Sequence, residues 1–424
     1  MVIDDLMTSL CGIDFGTSNS AIGIAHNGSP QLLALEDNEH TLPSALFFNF
    51  DEKIISFGRV AVEDYIDGEH GRFMRSLKSI LGTSIASQQT QVHNRQVSYS
   101  EIIAEFIAEM KRRAESQLNE SLENVVMGRP VHFVDSDKSA DDDAQNTLEE
   151  ICKTVGFKEI KFQFEPIAAA LDYEQQLTKE ELSLIIDIGG GTSDFTIIRL
   201  SPENRQHSDR YQDILATTGV HIGGNDFDRR FNLAKAMPAL GMHSLMKGPK
   251  RLEVAPTSYY DLATWHLIHN QYQRSNIHNM EMLRMRAEQP ELIERMITLL
   301  KNQDGHRLIG RVEACKIELA NKTKSLLELE FIEPEFQLDC RREEFNASTK
   351  LEVETIAKTI RESLLAALVS SQQISSVFLT GGTTGLPSVR KVVADVFPES
   401  QIVEGNRFGS VATGLTLDAM RSFI

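Results

Sequence analysis

The stretch that decides the fold runs from Leu184 to Phe195 and reads LIIDIGGGTSDF. The run Leu184 to Ile188 predicts a buried strand, and Phe195 to Leu200 predicts the return strand of a hairpin. The glycines between them weaken a strand and bring no side chain to a core, so they have no packing purpose. We therefore interpret Gly189 to Gly191 as a turn whose backbone N–H groups can point at phosphate oxygens.

A similar hairpin is predicted near the N-terminus. Cys11 to Phe15 and Ala21 to Ala25 read as strands around a turn of small residues, Gly16 to Ser20. Alignment of the two hairpins makes Asp14 equivalent to Asp187 and predicts a duplicated lobe. Alone, the first motif also fits an ordinary hairpin turn. Together, the motifs predict two carboxylates that face one cleft and hold the waters of a phosphate-bound Mg²⁺.

Helix and strand patterns alternate along the rest of the chain, which is typical of α/β architecture. A long stretch in the second half is helical in pattern and predicts an inserted helical subdomain. In chain order, we predict a helix over Ser100–Gln117, strands over Val125–Met127 and Pro130–Phe133, a helix start around Ser136–Asp143, helices over Glu281–Leu300 and His306–Lys324, a strand over Ser376–Thr380 and a helix after Pro387.

Two more glycine turns follow predicted strands. Thr218 to Asp226 ends a strand and starts a helix, and its glycines permit close backbone approach to ribose or phosphate. The same residues also fit a helix whose N-cap is Asn225 or Asp226. Phe378 to Pro387 reads as strand, glycine turn and helix start, the form expected of a loop that supports a nucleotide base.

Length and charge restrict the class of protein. A chain of 424 residues exceeds the roughly 250–300 residues of a single core, so we expect two or more domains. The formal charge of −18 repels nucleic acid and anionic lipid, so we expect no nucleic-acid or membrane binding. Four scattered cysteines indicate reduced thiols, and neither a leader segment nor a spanning run of about 20 apolar residues is present. We expect a cytoplasmic monomer.

These motifs, in this order, resemble the phosphate, connecting and adenosine motifs of the actin, sugar kinase and heat-shock-seventy superfamily, and most closely those of its DnaK-type chaperones. Lys78–Gly82 looks like the lysine segment of that family, Pro130–Phe133 like its switch-proline strand and Phe164–Leu171 like its catalytic-glutamate helix. Arg129–Val131 and Phe162–Pro166 look like the YegD-like branch, which has an ATPase region and little else.

The resemblance implies an α/β, two-lobed actin-like ATPase fold, made of duplicated ribonuclease-H-like domains with an inserted helical subdomain. Lobe I would span 1–185 with an insertion at about 51–124, and lobe II 186–424 with a helical insertion at about 227–328. The implied function is binding and slow hydrolysis of Mg-ATP, with lobe closure that signals nucleotide state to a protein partner or co-chaperone. Because the chain ends at Ile424, we expect no substrate-binding domain and no peptide binding by that route.

The resemblance also implies a role for each matching position, with ATP or ADP and Mg²⁺ as cofactors. Asp14 and Asp187 would hold the magnesium shell. The implied catalytic residues are Lys78, Glu165, Asp194 and Thr192, where Lys78 neutralises charge on the transferred phosphoryl group, Asp194 orients water, and Glu165 with Pro130 reports nucleotide state. The implied nucleotide-binding residues are Gly16, Thr17, Ser18, Asn19, Gly189, Gly190, Gly191, Gly223, Gly224, Asn225, Glu313, Lys316, Gly381, Gly382 and Thr383.

Five positions depart from the family pattern. Two arginines that sandwich adenine are matched by Ile317 and Gly385, and loss of such stacking costs about 0.5–2 kcal/mol per contact. The remaining departures are Ala320 for a ribose-contacting serine, Phe408 for an acidic residue near the base and Lys138 for an interlobe arginine. We therefore expect weaker ATP binding or looser base selectivity than in DnaK.

Other interpretations fit parts of the sequence. Glu313 and Lys316 lie three residues apart on one helix face and also fit an ordinary surface ion pair. Lys78 and Glu165, taken singly, fit solvated surface charges. For the whole chain, the alternatives are an actin-like filament protein, a small-molecule kinase and a nucleotide-sensing scaffold with little turnover. The charge of −18 weighs against filaments, because like-charged subunits repel.

Overall fold

The computed structural model describes residues 10–26, 28–83, 85–86, 88–134, 137–207, 210–250, 252–265, 267–404 and 409–423. They form two compact units. The first unit contains the described residues of Met1–Gly223, Ile356–Thr384 and Val389–Ile424, and the second those of Gly224–Thr355 and Gly385–Ser388. The division into lobes 1–185 and 186–424 stays a prediction.

The chain before Gly224 supplies most of the first unit. Its elements are β1 (Leu10–Asp14), β2 (Asn19–His26), β3 (Ser29–Leu32), β4 (Leu42–Pro43), β5 (Ala45–Asn49), β6 (Ile55–Phe57), α1 (Gly58–Ile66), β7 (Gly71–Arg75), β8 (Gln89–Val92), β9 (Arg95–Ser98), α2 (Tyr99–Leu118), β10 (Asn124–Arg129), α3 (Lys138–Val155), β11 (Glu159–Phe164), α4 (Glu165–Glu174), β12 (Glu181–Ile188), β13 (Ser193–Leu200) and β14 (Ile214–Val220).

From Gly224 onward the chain builds the second unit and then returns to the first. The elements are α5 (Gly224–Ala239), α6 (Thr257–Leu262), α7 (Ile268–Gln271), α8 (Arg274–Arg286), α9 (Pro290–Lys301), α10 (Gly305–Asn321), β15 (Lys324–Glu328), β16 (Gln337–Arg341), α11 (Arg342–Ser348), α12 (Lys350–Ala366), β17 (Ser376–Thr380), α13 (Pro387–Val396), β18 (Gln401–Glu404) and α14 (Ser410–Ser422). In the described part of the chain, no helix combines the length and apolarity that a membrane span requires.

Two sheets of the first unit share one strand arrangement. Among the described residues, the first sheet has the order β11-β10-β1-β2-β3, with β4 also paired to β2, and the second has the order β14-β13-β12-β17-β18. In each sheet three consecutive strands pair antiparallel, a later strand pairs parallel with the first of them, and a further strand pairs parallel with that later one. This repeat confirms the predicted duplication and the actin-like fold class.

The helix near the end of the chain closes the core over the first sheet. Helix α14 packs on α4 and on β1, β2 and β10, and glycines allow that approach. A Cβ atom on Gly12 would lie 2.3 Å from the backbone nitrogen of Thr416, and one on Gly414 would lie 1.8 Å from the carbonyl oxygen of Ala168. The first sheet therefore depends on a segment about 400 residues away from β1 in sequence.

Several predicted elements are confirmed. The helix over Ser100–Gln117 is α2, whose N-terminus has a capping box of Ser98 and Glu101. The strand over Ser376–Thr380 is β17, and the helix after Pro387 is α13. Of the predicted acidic helix start, Ser136 lies outside the described residues, and α3 begins after Asp137, whose side chain accepts a hydrogen bond from the Ala140 N–H.

Other predicted elements are wrong. Pro130–Phe133 is not a strand, because β10 ends at Arg129 and proline has no N–H for a ladder. The helix predicted over Glu281–Leu300 is two helices, since Pro290 occupies the first turn of α9. Helix α10 ends at Asn321, so Lys324 starts a strand. Helix α5 begins at Gly224, which places Asn225 and Asp226 in its first turn and not at its N-cap.

Substitution of Gly414 by Ala tests the packing of α14 on α4. The added methyl group would overlap the Ala168 carbonyl, so we expect the free energy of unfolding to fall by about 1–3 kcal/mol. Gly310→Ala is the matched control, because a Cβ there meets nothing within 4 Å and a helical alanine is favoured by up to about 1 kcal/mol. Urea unfolding followed by circular dichroism measures both variants. Equal stability of the two variants would contradict this account of the packing.

Candidate active site

Each duplicated sheet places one aspartate at a strand end. Asp14 is the last residue of β1, and Asp187 is the penultimate residue of β12. Asp187 is opposite Asp194 in the antiparallel pair and beside Thr380 in the parallel pair. Directly opposed like charges destabilise a sheet, so the Asp187–Asp194 pair calls for a functional explanation.

A nearly buried ion pair lies beside these carboxylates. The Lys78 Nζ atom donates a hydrogen bond to Glu165 Oε1 at 2.5 Å, and the two side chains are only 10% and 12% exposed. Lys78 lies in the short 3₁₀ helix Leu77–Ile80, and Glu165 is the first residue of α4. The reading of these two residues as solvated surface charges is therefore wrong.

The pKa values show that the charged groups form one cluster. Burial, Glu165 and Asp187 raise the pKa of Asp14 to about 8, although Lys78 opposes this. Burial, Glu165 and Asp194 raise the pKa of Asp187 to about 7, again against Lys78. Burial lowers the pKa of Lys78, but the attraction of Glu165, Asp14 and Asp187 outweighs it and the net shift is upward. Lys78 thus interacts favourably with several carboxylates at once.

The glycine turns of the first unit meet next to this cluster. A Cβ atom on Gly381 would lie 2.7 Å from Asp187 Oδ1, and one on Gly223 would lie 2.4 Å from the backbone nitrogen of Gly191. The Thr383 hydroxyl donates to the Gly189 carbonyl oxygen at 3.2 Å. A Cβ atom on Gly191 would meet nothing within 4 Å, so open space adjoins this turn. The fold brings three turns that are distant in sequence to one place.

The remaining predicted positions of the first unit are partly or fully exposed. Thr17, Ser18 and Asn19 are half-buried, Gly382 is exposed, and the exposed Thr192 donates its hydroxyl hydrogen to Asp194 Oδ2 at 3.1 Å. Thr192 therefore orients Asp194 in the structure. Their predicted contacts with phosphate stay predictions.

Two serines that sequence reasoning missed connect the first hairpin to the lysine. Ser44 donates its N–H to the Ser18 carbonyl at 2.9 Å and its hydroxyl to the Gly16 carbonyl at 2.7 Å. The Ser76 N–H in turn donates to the Ser44 carbonyl at 3.3 Å. Ser76 has a left-handed backbone with φ of 58° and immediately precedes the helix of Lys78. Sequence spacing gives no signal for such long-range bonds.

The predicted residues of the second unit form a separate group. Lys316 is buried, and its Nζ atom donates to Asp228 Oδ2 at 2.7 Å and to the Gly224 carbonyl at 3.5 Å. The surface ion pair considered for Lys316 is therefore not found, because its carboxylate partner is Asp228 on α5, which sequence reasoning missed. Glu313 and Asn225 are half-buried. The predicted contacts of this group with adenosine stay predictions.

The described residues include three positions that depart from the family pattern, Ile317, Lys138 and Gly385. Ile317 is 57% exposed on α10, so its side chain is available to solvent where the resemblance implies an arginine. Lys138 is 85% exposed and pairs with Asp142 one turn along α3. Gly385 ends a short 3₁₀ helix that begins at Gly382. Phe408 lies outside the described residues.

The acidic cluster fits a hydrated divalent cation. Asp14, Glu165, Asp187 and Asp194 outnumber the single lysine of the cluster, and their mutual repulsion adds to burial, the main cause, in raising the pKa values of Asp14 and Asp187. Mg²⁺ keeps several waters and is commonly bound through one or two carboxylates together with phosphate oxygens. Within the described ranges, no three His, Cys, Asp or Glu residues are grouped to hold a metal directly.

Comparison with known proteins identifies the family. The family model described as Hsp70 protein matches residues 10–234 and 292–420, which is most of the chain. The chain belongs to the Hsp70 family. The Chaperone protein DnaK of Deinococcus deserti is 24% identical over 443 aligned residues, which cover 97% of this chain and 59% of that protein. The proteins of the same name from Ureaplasma urealyticum and Mycoplasmopsis agalactiae are 25% and 26% identical, and each alignment covers 91% of this chain and 54% of the relative.

The Hsp70 match and the fold confirm the predicted family. The matched residues include both hairpins, Lys78, Glu165 and the Gly381–Thr383 turn. This chain spans a little over half of the length of the curated relatives that it matches.

The repulsion in the acidic cluster predicts how stability depends on pH. The pKa values of Asp14 and Asp187 are raised on folding, so ionisation opposes the folded state, and stability falls as the pH rises from about 4 towards 8. In EDTA, Asp187→Asn removes part of this penalty. We expect its melting temperature to exceed that of the wild type by a few degrees at pH 8, and by less at pH 5.

The control for this experiment is Asp142→Asn, which removes an exposed carboxylate from the same unit. Differential scanning calorimetry measures the three proteins. A gain that is the same at both pH values would show that ionisation of Asp187 does not limit stability.

Proposed function

We propose that this chain binds Mg-ATP at the acidic cluster of the first unit and hydrolyses it slowly. The observation that carries the proposal is the Lys78–Glu165 ion pair, which lies among strand-end aspartates and beside the glycine turns. Phosphoryl transfer needs mainly positioned cations and groups that orient the nucleophile, and the cluster supplies both. Membership of the Hsp70 family supports an ATPase of the DnaK type.

In this proposal the ion is held through its water shell by Asp14 and Asp187. Bound Mg²⁺ would neutralise phosphate charge and relieve the repulsion that, together with burial, raises their pKa values. The backbone N–H groups of Gly189 to Gly191 and the hydroxyl groups of Thr17 and Ser18 bind the β- and γ-phosphates. The open space beside Gly191 supports this assignment.

Lys78 and Asp194 are the residues that we propose act on the reacting group. Glu165 holds the Lys78 ammonium in place, and Lys78 neutralises charge that develops on the transferred phosphoryl group. Asp194, oriented by Thr192, accepts a hydrogen bond from the attacking water. The predicted coupling of lobe closure to nucleotide state, and a co-chaperone that reads it, belong to the same proposal.

We expect Asp194→Asn to lower turnover about 100-fold or more, because it removes the carboxylate that orients water. The dissociation constant for Mg-ATP should change by less than about threefold, since the phosphate-binding turns are unaltered. A coupled phosphate-release assay and isothermal titration calorimetry measure the two quantities. Asp142→Asn is the control for loss of one carboxylate. Unchanged turnover in Asp194→Asn would refute the role of Asp194.

Restoring an arginine at a position where the resemblance implies adenine stacking should raise the affinity for ATP. Ile317→Arg adds a guanidinium at an exposed position of α10, and stacking on a base is worth about 0.5–1 kcal/mol at exposed sites, or a two- to fivefold lower dissociation constant for ATP. Leu326→Arg is the matched control, because it adds the same charge at a side chain that is 49% exposed. Calorimetry with ATP measures both variants. An equal gain in the two would assign the effect to charge alone.

A further inference from the structure

Arg129 is a buried arginine whose guanidinium group donates hydrogen bonds to four acceptors. It is the last residue of β10 and is 8% exposed. Its Nε atom donates to the Pro130 carbonyl at 3.0 Å and its Nη2 atom to the Val131 carbonyl at 3.1 Å. Nη2 also donates to Asp141 Oδ2 at 2.8 Å, and Nη1 donates to Gln145 Oε1 at 2.5 Å. One guanidinium therefore binds the loop after β10 to α3.

The carboxylate of Asp141 completes the attachment of this loop. Its Oδ1 atom accepts the N–H of Phe133 at 2.5 Å, while its Oδ2 atom accepts Arg129. The attraction of Arg129 and the Phe133 N–H outweighs burial and lowers the pKa of Asp141. The segment from Pro130 to Phe133, which forms no ladder bonds, is thus held at both ends by a single ion pair.

The same guanidinium extends to the residue that precedes Glu165. Its central carbon lies 5.4 Å from the ring centre of Phe164 and 5.2 Å from that of Phe133. Arg129 and Phe164 are also direct partners in the parallel β10–β11 pair. Phe164 ends β11, and Glu165 starts α4 at the next position. The contact therefore fixes the point where the chain turns towards the active site.

The strand end that carries Arg129 also supports Glu165 directly. A Cβ atom on Gly128 would lie 3.2 Å from Glu165 Cγ and 3.5 Å from Glu165 Oε1. Because Gly128 has no side chain, the Glu165 side chain packs closely against β10, one residue before Arg129. Glu165 in turn binds Lys78.

We propose that Arg129 is a positioning residue that sets Glu165, and through it Lys78, while it holds the Pro130–Phe133 loop against α3. A change in the loop then moves the carboxylate, because both depend on the same planar group. Arginine suits this task because its rigid fork bonds several acceptors and stacks on aromatic rings at once, whereas a lysine offers a single point charge. The catalytic part of this inference rests on the proposed ATPase function, and the positioning part does not.

Hydrogen exchange on the ligand-free full chain tests the positioning without reference to activity. In Arg129→Met, we expect the amides of residues 131–134 and those of residues 163–165 and 167–168 to exchange about tenfold faster than in the wild type. Lys138→Met is the control, because it breaks an exposed ion pair on α3 and should leave both segments unchanged. Arg129→Lys should give an intermediate result and serves if Arg129→Met does not fold. Faster exchange of 131–134 with no change at 163–165 and 167–168 would overturn the proposal.

Kinetics of a double-mutant cycle test whether Arg129 acts through Glu165. We expect Arg129→Met to lower kcat about tenfold with KM for ATP within about twofold. In a Glu165→Gln background, the same substitution should have no further effect on kcat. Multiplicative losses in the double variant would show that Arg129 acts independently and would overturn the proposal. If the wild-type chain does not turn over ATP, the proposed function fails, and hydrogen exchange alone decides the role of Arg129.

Discussion

The repulsion between carboxylates that surround one lysine is the constraint on which the first unit depends. A sheet that places Asp187 opposite Asp194, with Asp14 and Glu165 within electrostatic reach, stores unfavourable energy when no cation is bound. That energy has to be offset by packing elsewhere, as is common where a site is built for a ligand. The deep core under both sheets supplies the offset, because the three residues before each aspartate, Cys11–Ile13 and Leu184–Ile186, are buried.

The glycines have two distinct purposes in this fold. Gly12, Gly23 and Gly414 let the last helix approach the first sheet and α4, and a side chain there would overlap backbone or side-chain atoms. Gly191 instead adjoins open space, so a side chain would fit but would occupy room that the proposed nucleotide needs. The first kind maintains the scaffold, and the second kind keeps the site accessible.

Local patterns predicted the elements whose cause is local. Both hairpins, α2 and β17 follow from periodicity and turn residues within a few positions. The strand predicted over Pro130–Phe133 was wrong because the apolar residues suggested a ladder, while the hydrogen bonds of this loop go to Arg129 and Asp141. The partner of Lys316 was missed for a similar reason, since Asp228 lies 88 positions away. No window of the sequence shows which distant polar groups will satisfy each other.

The sign of the charge around the site restricts which form of the nucleotide the proposed function can use. The chain carries −18 overall, and the cluster itself has more carboxylates than cations. Free ATP is a polyanion, so its approach to ionised Asp14 and Asp187 is opposed both at long range and at contact. A divalent cation turns the repulsion at contact into attraction, because it attracts phosphate and carboxylate at once. Under the proposal, the ligand is therefore the magnesium complex, and the acidic cluster selects against the free nucleotide.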